Sequence, residues 1–92
     1  MIKTFRCRET ERISLGHRSK RFGNIEAVAR RKLRMIQTAA KLDDLKAPPG
    51  NRLEALSGDR KGQHSIRISD QWRVCFEWRD GDAYGVEIVD YH

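Results

Sequence analysis

Three short runs in the last third of the chain alternate apolar and polar residues. They cover residues 63–69, 71–79 and 83–90 and are rich in Ile, Val, Phe and Trp. Alternation with a period of two is typical of β-strands that bury one face. Asp70 separates the first two runs, and an Asp-Gly pair ending at Gly81 follows the second, where glycine supplies the positive φ of a tight turn. The pattern predicts a three-stranded antiparallel meander.

The middle run divides its side chains between two faces. Alternate residues place Trp72, Val74, Phe76 and Trp78 on one face and Arg73, Cys75, Glu77 and Arg79 on the other. Four large apolar side chains would form a sizeable exposed patch, so the first face is predicted to be buried. Arg73 is then expected to lie on an open face of the sheet.

Apolar residues at helical spacing predict an amphipathic helix over residues 25–41, capped by Asn24. The apolar positions are Ile25, Val28, Ala29, Leu33, Ile36 and Ala40. A shorter helix is predicted over residues 9–15, with Thr10 as its cap. Residues 43–46 are expected to add one more turn before two prolines end the helix.

Two further short strands complete the predicted fold. Residues 2–7 alternate in character and are predicted to join the sheet, and residues 52–56 form a second short strand. The order is β-α-α-β-β-β-β, which predicts an α+β fold with two helices packed on a small, mostly antiparallel sheet. A chain of 92 residues is expected to form one domain over residues 1–92.

Charge is distributed unevenly along the chain. Residues 1–41 hold 12 Lys and Arg against 3 Asp and Glu, whereas residues 42–92 hold 7 against 10, for a net charge of +6. A basic half indicates a polyanionic partner, most often nucleic acid, with a merely soluble basic surface as the alternative. On the long helix, the polar face carries Arg30, Arg31, Lys32, Arg34 and Lys41. This face is predicted either to contact phosphate or an acidic partner, or simply to be solvated.

Other features limit the possible classes of protein. Cys7 and Cys75 fit no metal-binding spacing and are expected to be small buried hydrophobes. We predict no metal and no cofactor. No apolar run suits a signal peptide or approaches the roughly 20 residues of a membrane span, so a cytoplasmic protein is expected.

Arg73 and the terminal residues Asp90, Tyr91 and His92 combine groups that RNA cleavage requires. One group must accept the proton of the 2′-hydroxyl, another must protonate the leaving 5′-oxygen, and a cation must stabilise the added negative charge. Arg73 suits the last role because a guanidinium binds phosphate oxygens bidentately. Asp90 and His92 are candidate proton-transfer groups, and Tyr91 can stack on a base.

Structural explanations exist for each of these residues. A terminal His is often frayed, Asp90 is an ordinary surface charge, Tyr91 can serve in packing, and Arg73 can form an ion pair with Glu77. The alternation of side chains along a strand adds a difficulty, because Asp90 and His92 are expected to face one side of the sheet and Tyr91 the other. The strand end must twist or bulge if all three are to meet near Arg73. His64, at the start of the meander, is either structural or part of a binding rim.

Several motifs in combination resemble one known family. They are the Gly58-Asp59-Arg60 loop followed by Ser65-Ile66, the Trp72-Arg73 pair, the terminal Asp90-Tyr91-His92, and the segment Pro49-Gly50-Asn51-Arg52-Leu53. The chain resembles HigB-type toxins, or plasmid-maintenance-system killer proteins, of the RelE superfamily over essentially its full length. Each motif alone is weak, and the combination is specific.

The resemblance implies a RelE-like fold and a ribosome-dependent mRNA endonuclease that cuts mRNA in the decoding site and arrests translation. It also implies a HigA-type helix-turn-helix antitoxin that neutralises the toxin and carries the pair to operator DNA. Arg73 would hold the scissile phosphate, with Asp90, Tyr91 and His92 as the catalytic trio. The ribosome and RNA would be held by Arg30, Arg31, Lys32, Arg34, Arg60, Lys61 and His64.

The chain departs from well-studied relatives before the Gly-Asp-Arg loop. Where those relatives have a His and a Lys, this chain has Glu54 and Ser57. Glu54 can still act as a base, although its charge is opposite to that of a protonated His, and the hypothesis is a mild or slow toxin. Two alternatives stay open: a module that binds the ribosome or RNA without cutting, and a repressor subunit that acts through its antitoxin.

Overall fold

Two helices pack on one face of a four-stranded antiparallel sheet in the computed structural model, which describes residues 1–90. The elements are α1 (Arg8–Ser14), α2 (Glu26–Thr38), β1 (Glu54–Ala55), β2 (Gln63–Arg67), β3 (Trp72–Arg79) and β4 (Asp82–Asp90), with the strands in sequential order. The predicted meander is confirmed, with a first strand that ends two residues earlier than expected. Within residues 1–90, no helix is long and apolar enough to cross a membrane.

The core lies between the helices and the face of β3 that carries Val74 and Phe76. Both residues are fully buried, together with Leu33 and Ile36 from α2. Trp72 packs edge to face against Phe22, with ring centroids 5.1 Å apart. The predicted burial of this strand face is confirmed, although Trp72 and Trp78 are only partly buried at its two ends.

The helix boundaries differ from the sequence prediction. Ile25, not Asn24, occupies the N-cap position of α2, and no side chain caps it. The helix ends at Thr38, and a separate 3-10 turn follows at Leu42–Lys46. Between them, the backbone N–H groups of Ala40 and Lys41 donate to the Asp44 carboxylate instead of continuing the helix. The predicted turn over residues 43–46 is therefore present as a separate 3-10 turn and does not continue α2.

Thr10 lies inside α1 and does not cap it. Its side chain is fully buried, and its Oγ1 accepts a hydrogen bond of 3.0 Å from the backbone N–H of Ile88. The residue therefore fastens α1 to the outer edge of β4. The predicted capping role is wrong because a tertiary contact uses the hydroxyl.

The predicted strand over residues 2–7 is reduced to two parallel bridges, Ile2 with Ala83 and Phe5 with Val86. A β-bulge is the reason: two residues of β4, Gly85 and Val86, lie opposite one residue of β3. Gly85 has a φ of 59°, which suits glycine. The extra residue lets both Ala83 and Val86 face the core. It also interrupts the regular spacing of backbone groups along β4 with which a continuous strand would form hydrogen bonds.

Candidate active site

Arg73 lies on the face of the sheet that the helices leave uncovered. Strand register puts it on the same side as Ser65 of β2, whereas the neighbouring Val74 faces the core. We call this side the second face; it carries Glu54, Ser65, Arg73, Cys75 and Glu87. The expectation of an open face is wrong in one respect, since Arg73 is only 5% exposed.

Oxygen acceptors hold the Arg73 guanidinium in place. Its Nε donates to Ser65 Oγ at 2.7 Å, and its Nη2 donates to the carbonyl oxygen of Arg52 at 2.7 Å. Arg52 has a φ of 45°, a left-handed conformation that is rare for a non-glycine residue and is often found at functional sites. The strained residue turns its carbonyl toward the guanidinium, so the orientation of Arg73 is fixed from two sides.

Glu54 forms an ion pair with Arg73. Its Oε1 lies 3.2 Å from Nη2 of Arg73, and its side chain is 48% exposed. The antiparallel register brings the two together, because Glu54 pairs with Ser65 and Ser65 contacts Arg73. The alternation of side chains along the strand suggested Glu77 as a partner of Arg73, but the Glu77 carboxylate lies 3.8 Å from Nε of Arg79. The guanidinium is thus compensated by a carboxylate that remains partly in solvent.

Asp90 ends β4 on the opposite side from Arg73. Register puts Asp90 across from Trp72 and Val89 across from Arg73, so Asp90 shares a face with the buried Ile88. Its carboxylate accepts a hydrogen bond of 3.1 Å from the side-chain amide of Gln71. Asp90 therefore faces away from Arg73, which is the difficulty that the alternation of side chains along the strand predicted. The other two predicted catalytic residues, Tyr91 and His92, lie outside the described residues.

A second charged cluster lies farther along the second face. Arg60 Nη1 is 3.1 Å from Glu87 Oε2 and donates to Gln63 Oε1 at 3.1 Å, and Arg6 reaches the same carboxylate oxygen at 3.6 Å. Arg60, predicted to bind RNA, is thus engaged within the protein and ties its loop to β4. Lys61 is exposed beside it.

His64 faces the helix-covered side, away from Arg73. It pairs across the sheet with Phe76, and their rings stack with centroids 6.4 Å apart. Its buried Nδ1 has no hydrogen-bond partner among the described residues. Of the two roles left open by the sequence, this position favours the structural one.

Arg30 links α2 to the end of α1. Its Nε donates to the carbonyl oxygen of Ile13 at 3.0 Å, and its Nη2 lies 3.2 Å from Glu26. The pKa of Glu26 is lowered, first by the hydrogen bond from the backbone N–H of Ser19 and then by Arg30. A cation predicted to contact RNA is therefore part of the internal framework.

Lys32 is also drawn inward. Its Nζ donates to Asn51 Oδ1 at 2.5 Å, and burial lowers the pKa of Lys32, with the nearby charge of Arg31 acting in the same direction. Asn51 is fully buried and donates to the carbonyl of Leu45 at 3.2 Å, so it holds its loop against α2. Arg31 and Arg34 remain exposed on the outer face of the helix.

Cys75 is fully buried on the second face, as predicted, whereas Cys7 is only half-buried. Burial raises the pKa of the Cys75 thiol, which keeps it protonated and unreactive at neutral pH. Among residues 1–90, no cluster of His, Cys, Asp or Glu is arranged to hold a metal ion. Any chemistry at this site that the described residues support rests on Arg73 and its neighbours.

Sequence reasoning missed Ser65 and the carbonyl of Arg52 as the groups that orient Arg73. Ser65 lies within one of the motifs that resemble the family. That its side chain shares a face of the sheet with Arg73 becomes evident only from the register between β2 and β3. No sequence signal marks the left-handed Arg52. The pairing of Glu54 with Arg73 was missed for the same reason, since it depends on the register of β1.

Comparison with known proteins identifies the family. Residues 13–92 match the sequence model of the HigB-like toxins, described as the RelE-like toxin of the type II toxin–antitoxin system HigB. Toxin HigB-1 of Vibrio cholerae is 47% identical over 60 residues, which cover 65% of this chain and 63% of that protein. Endoribonuclease HigB of Proteus vulgaris is 38% identical over 61 residues, covering 66% and 65%. The chain thus spans a little under two thirds of the length of these curated relatives.

Solved structures show the same fold at low sequence identity. YafQ from Escherichia coli superposes with a TM-score of 0.61 at 12% identity, covering 98% of this chain and 93% of that one. The YoeB–YefM complex from Staphylococcus aureus gives a TM-score of 0.56 at 15% identity, covering 100% and 98%. The predicted α+β, RelE-like architecture is confirmed. By its sequence match over most of its length, the chain belongs to the HigB-like family of RelE-like toxins.

Proposed function

We propose that this protein is the toxin of a type II toxin–antitoxin pair and an endoribonuclease that cuts mRNA on the ribosome. The observation that carries the proposal is Arg73, a buried guanidinium that Ser65 and the Arg52 carbonyl orient on the second face. Matched relatives bear the names toxin and endoribonuclease, which supports the same activity. Arg73 lies beside the strand that leads to the terminal residues.

The proposed chemistry is displacement at one phosphodiester. The 2′-oxygen attacks phosphorus, a base takes its proton, the bond from phosphorus to the 5′-oxygen breaks, and an acid protonates that oxygen. Arg73 holds two phosphate oxygens and stabilises the charge that develops on them. We assign one proton transfer to His92 and a base-stacking role to Tyr91. A proton transfer by Asp90 requires a twist or bulge of the strand end, because register places Asp90 on the opposite side from Arg73.

We further propose a HigA-type antitoxin with a helix-turn-helix as the neutralising partner. The family to which the chain belongs is one of toxin–antitoxin systems, which supports an antitoxin of some kind. Operator DNA would then be contacted through the antitoxin, and the toxin would act in the cytoplasm, where ribosomes are.

A non-cleaving ribosome-binding toxin is the second candidate. The observation that favours it is Glu54, a carboxylate already paired with the guanidinium that the phosphate would need. Primer extension on mRNA separates the two candidates, using cells that express the toxin and purified toxin with and without ribosomes. Cleavage is expected at discrete codons and only with ribosomes. Growth arrest without any cut would reject the endonuclease and leave the binding role.

Arg31 and Arg34 are expected to supply electrostatic affinity for ribosomal RNA. They lie three residues apart, exposed on the same side of α2. Each neutralised phosphate releases counterions, so replacing both with Ala should lower the salt-dependence slope of ribosome affinity by roughly one to two. Co-sedimentation at a series of KCl concentrations measures this slope. Replacing the half-buried Lys32, which donates to Asn51, is the contrasting variant. An unchanged slope in the double variant would contradict the assignment.

A further inference from the structure

We propose that Glu54 is a built-in competitor for the substrate phosphate on Arg73 and thereby sets the affinity of the site for RNA. The inference rests on the proposed function, since it takes Arg73 as the phosphate-binding group. In this view the carboxylate occupies the position where phosphate oxygens will bind. RNA enters only by displacing it.

The contacts that Arg73 makes with side chains and carbonyls of residues 1–90 are of two chemical kinds. Ser65 Oγ and the Arg52 carbonyl are neutral acceptors at 2.7 Å, which orient the guanidinium without neutralising its charge. Glu54 brings a negative charge, with Oε1 3.2 Å from Nη2. A carboxylate and a phosphodiester both present two anionic oxygens to a guanidinium, so the two anions compete for it.

The two partners differ in how firmly they are held. The Arg73 side chain is 6% exposed, whereas that of Glu54 is 48% exposed. Glu54 lies on a strand of two residues at the edge of the described sheet, where it pairs with β2. A half-exposed carboxylate at a short edge regains water when it swings out, so little opposes its departure. Arg73 stays in place because Ser65 and Arg52 hold it.

This arrangement makes the affinity for a single phosphodiester weak. Binding one phosphate must first break an existing ion pair of the same type, so the net gain is small. An RNA held at several points, as on a ribosome, supplies the remaining binding energy through its other contacts. Glu54 therefore acts as a determinant of which RNA is bound, and a mild or slow toxin is the expected consequence.

The test is the affinity of the free protein for a short, labelled RNA with 2′-O-methyl groups, which cannot be cleaved by attack of its 2′-oxygen. Glu54→Gln keeps the shape of the side chain and removes its charge, and we expect it to bind about three- to fivefold more tightly at low salt. Glu77→Gln is the matched control, because Glu77 is 43% exposed and also pairs with an arginine on the same strand face. It should change affinity by less than about twofold.

A second comparison ties the gain to Arg73. In an Arg73→Lys background, Glu54→Gln should raise the affinity for RNA no more than Glu77→Gln does. The reason is that lysine lacks the planar guanidinium, which binds two oxygens at once. Equal or weaker binding by Glu54→Gln, or an equal gain from Glu77→Gln, would overturn the proposal. The readout is binding alone, so absent cleavage in primer extension would defeat the proposed activity without deciding this competition.

Discussion

Arg73→Ala is expected to reduce mRNA cleavage by at least about 100-fold while leaving ribosome binding largely intact. Removing a preorganised group that stabilises developing negative charge typically costs a factor of about 10² to 10³. The guanidinium is held in advance by Ser65 and the Arg52 carbonyl, so it needs no reorganisation as the reaction proceeds. Single-turnover cleavage on programmed ribosomes, with co-sedimentation in parallel, measures both effects.

Loss of Arg73 also leaves buried acceptors unpaired, which costs about 1–3 kcal/mol in stability. Thermal melting therefore accompanies the rate measurement, and Arg73→Lys is the second variant because it keeps the charge without the planar fork. We expect Arg73→Lys to fold and still to cut much more slowly than the wild type. Wild-type rates in both variants would remove Arg73 from the chemistry.

Phe76→Ala is expected to lower the free energy of unfolding by about 3–5 kcal/mol. Phe76 is 0% exposed at the centre of β3 and packs with His64 and Trp78, so truncation leaves a cavity between the sheet and the helices. Natural domains have a stability of about 5–15 kcal/mol, so this loss would leave the protein close to unfolding. Urea denaturation gives both the midpoint and the slope.

Leu15→Ala is the contrasting substitution, because Leu15 is 67% exposed and lies outside the core. Its cost should stay within about 0.5 kcal/mol. A loss below about 1 kcal/mol for Phe76→Ala would mean that the sheet face is not packed as the structure describes.

The local periodicity of the sequence predicts the meander and the long helix well. Alternation over residues 71–79 marks which side of β3 is buried, since the side-chain period of a strand is two. The apolar spacing that includes Leu33 and Ile36 marks the buried side of α2 in the same way. Both signals are carried within one element, so no knowledge of its neighbours is needed.

Features that depend on two distant segments were missed or mispredicted. The bulge at Gly85 decides how residues 2–7 can pair, and no alternation within those residues reveals it. The ion pair of Glu54 with Arg73 requires the register across β1, β2 and β3. Arg30 looked like a surface cation because one of its acceptors, the carbonyl oxygen of Ile13, belongs to another helix. Sequence thus identifies the candidate guanidinium, and tertiary structure determines what holds it.

The most direct measurement is a cryo-EM map of the toxin on a ribosome that carries an uncleavable 2′-O-methyl mRNA. We expect a backbone phosphate of that mRNA within hydrogen-bonding distance of the Arg73 guanidinium, with Glu54 turned away into solvent. A map in which the mRNA phosphates lie elsewhere, while Arg73 keeps its contact with Glu54, would contradict this expectation.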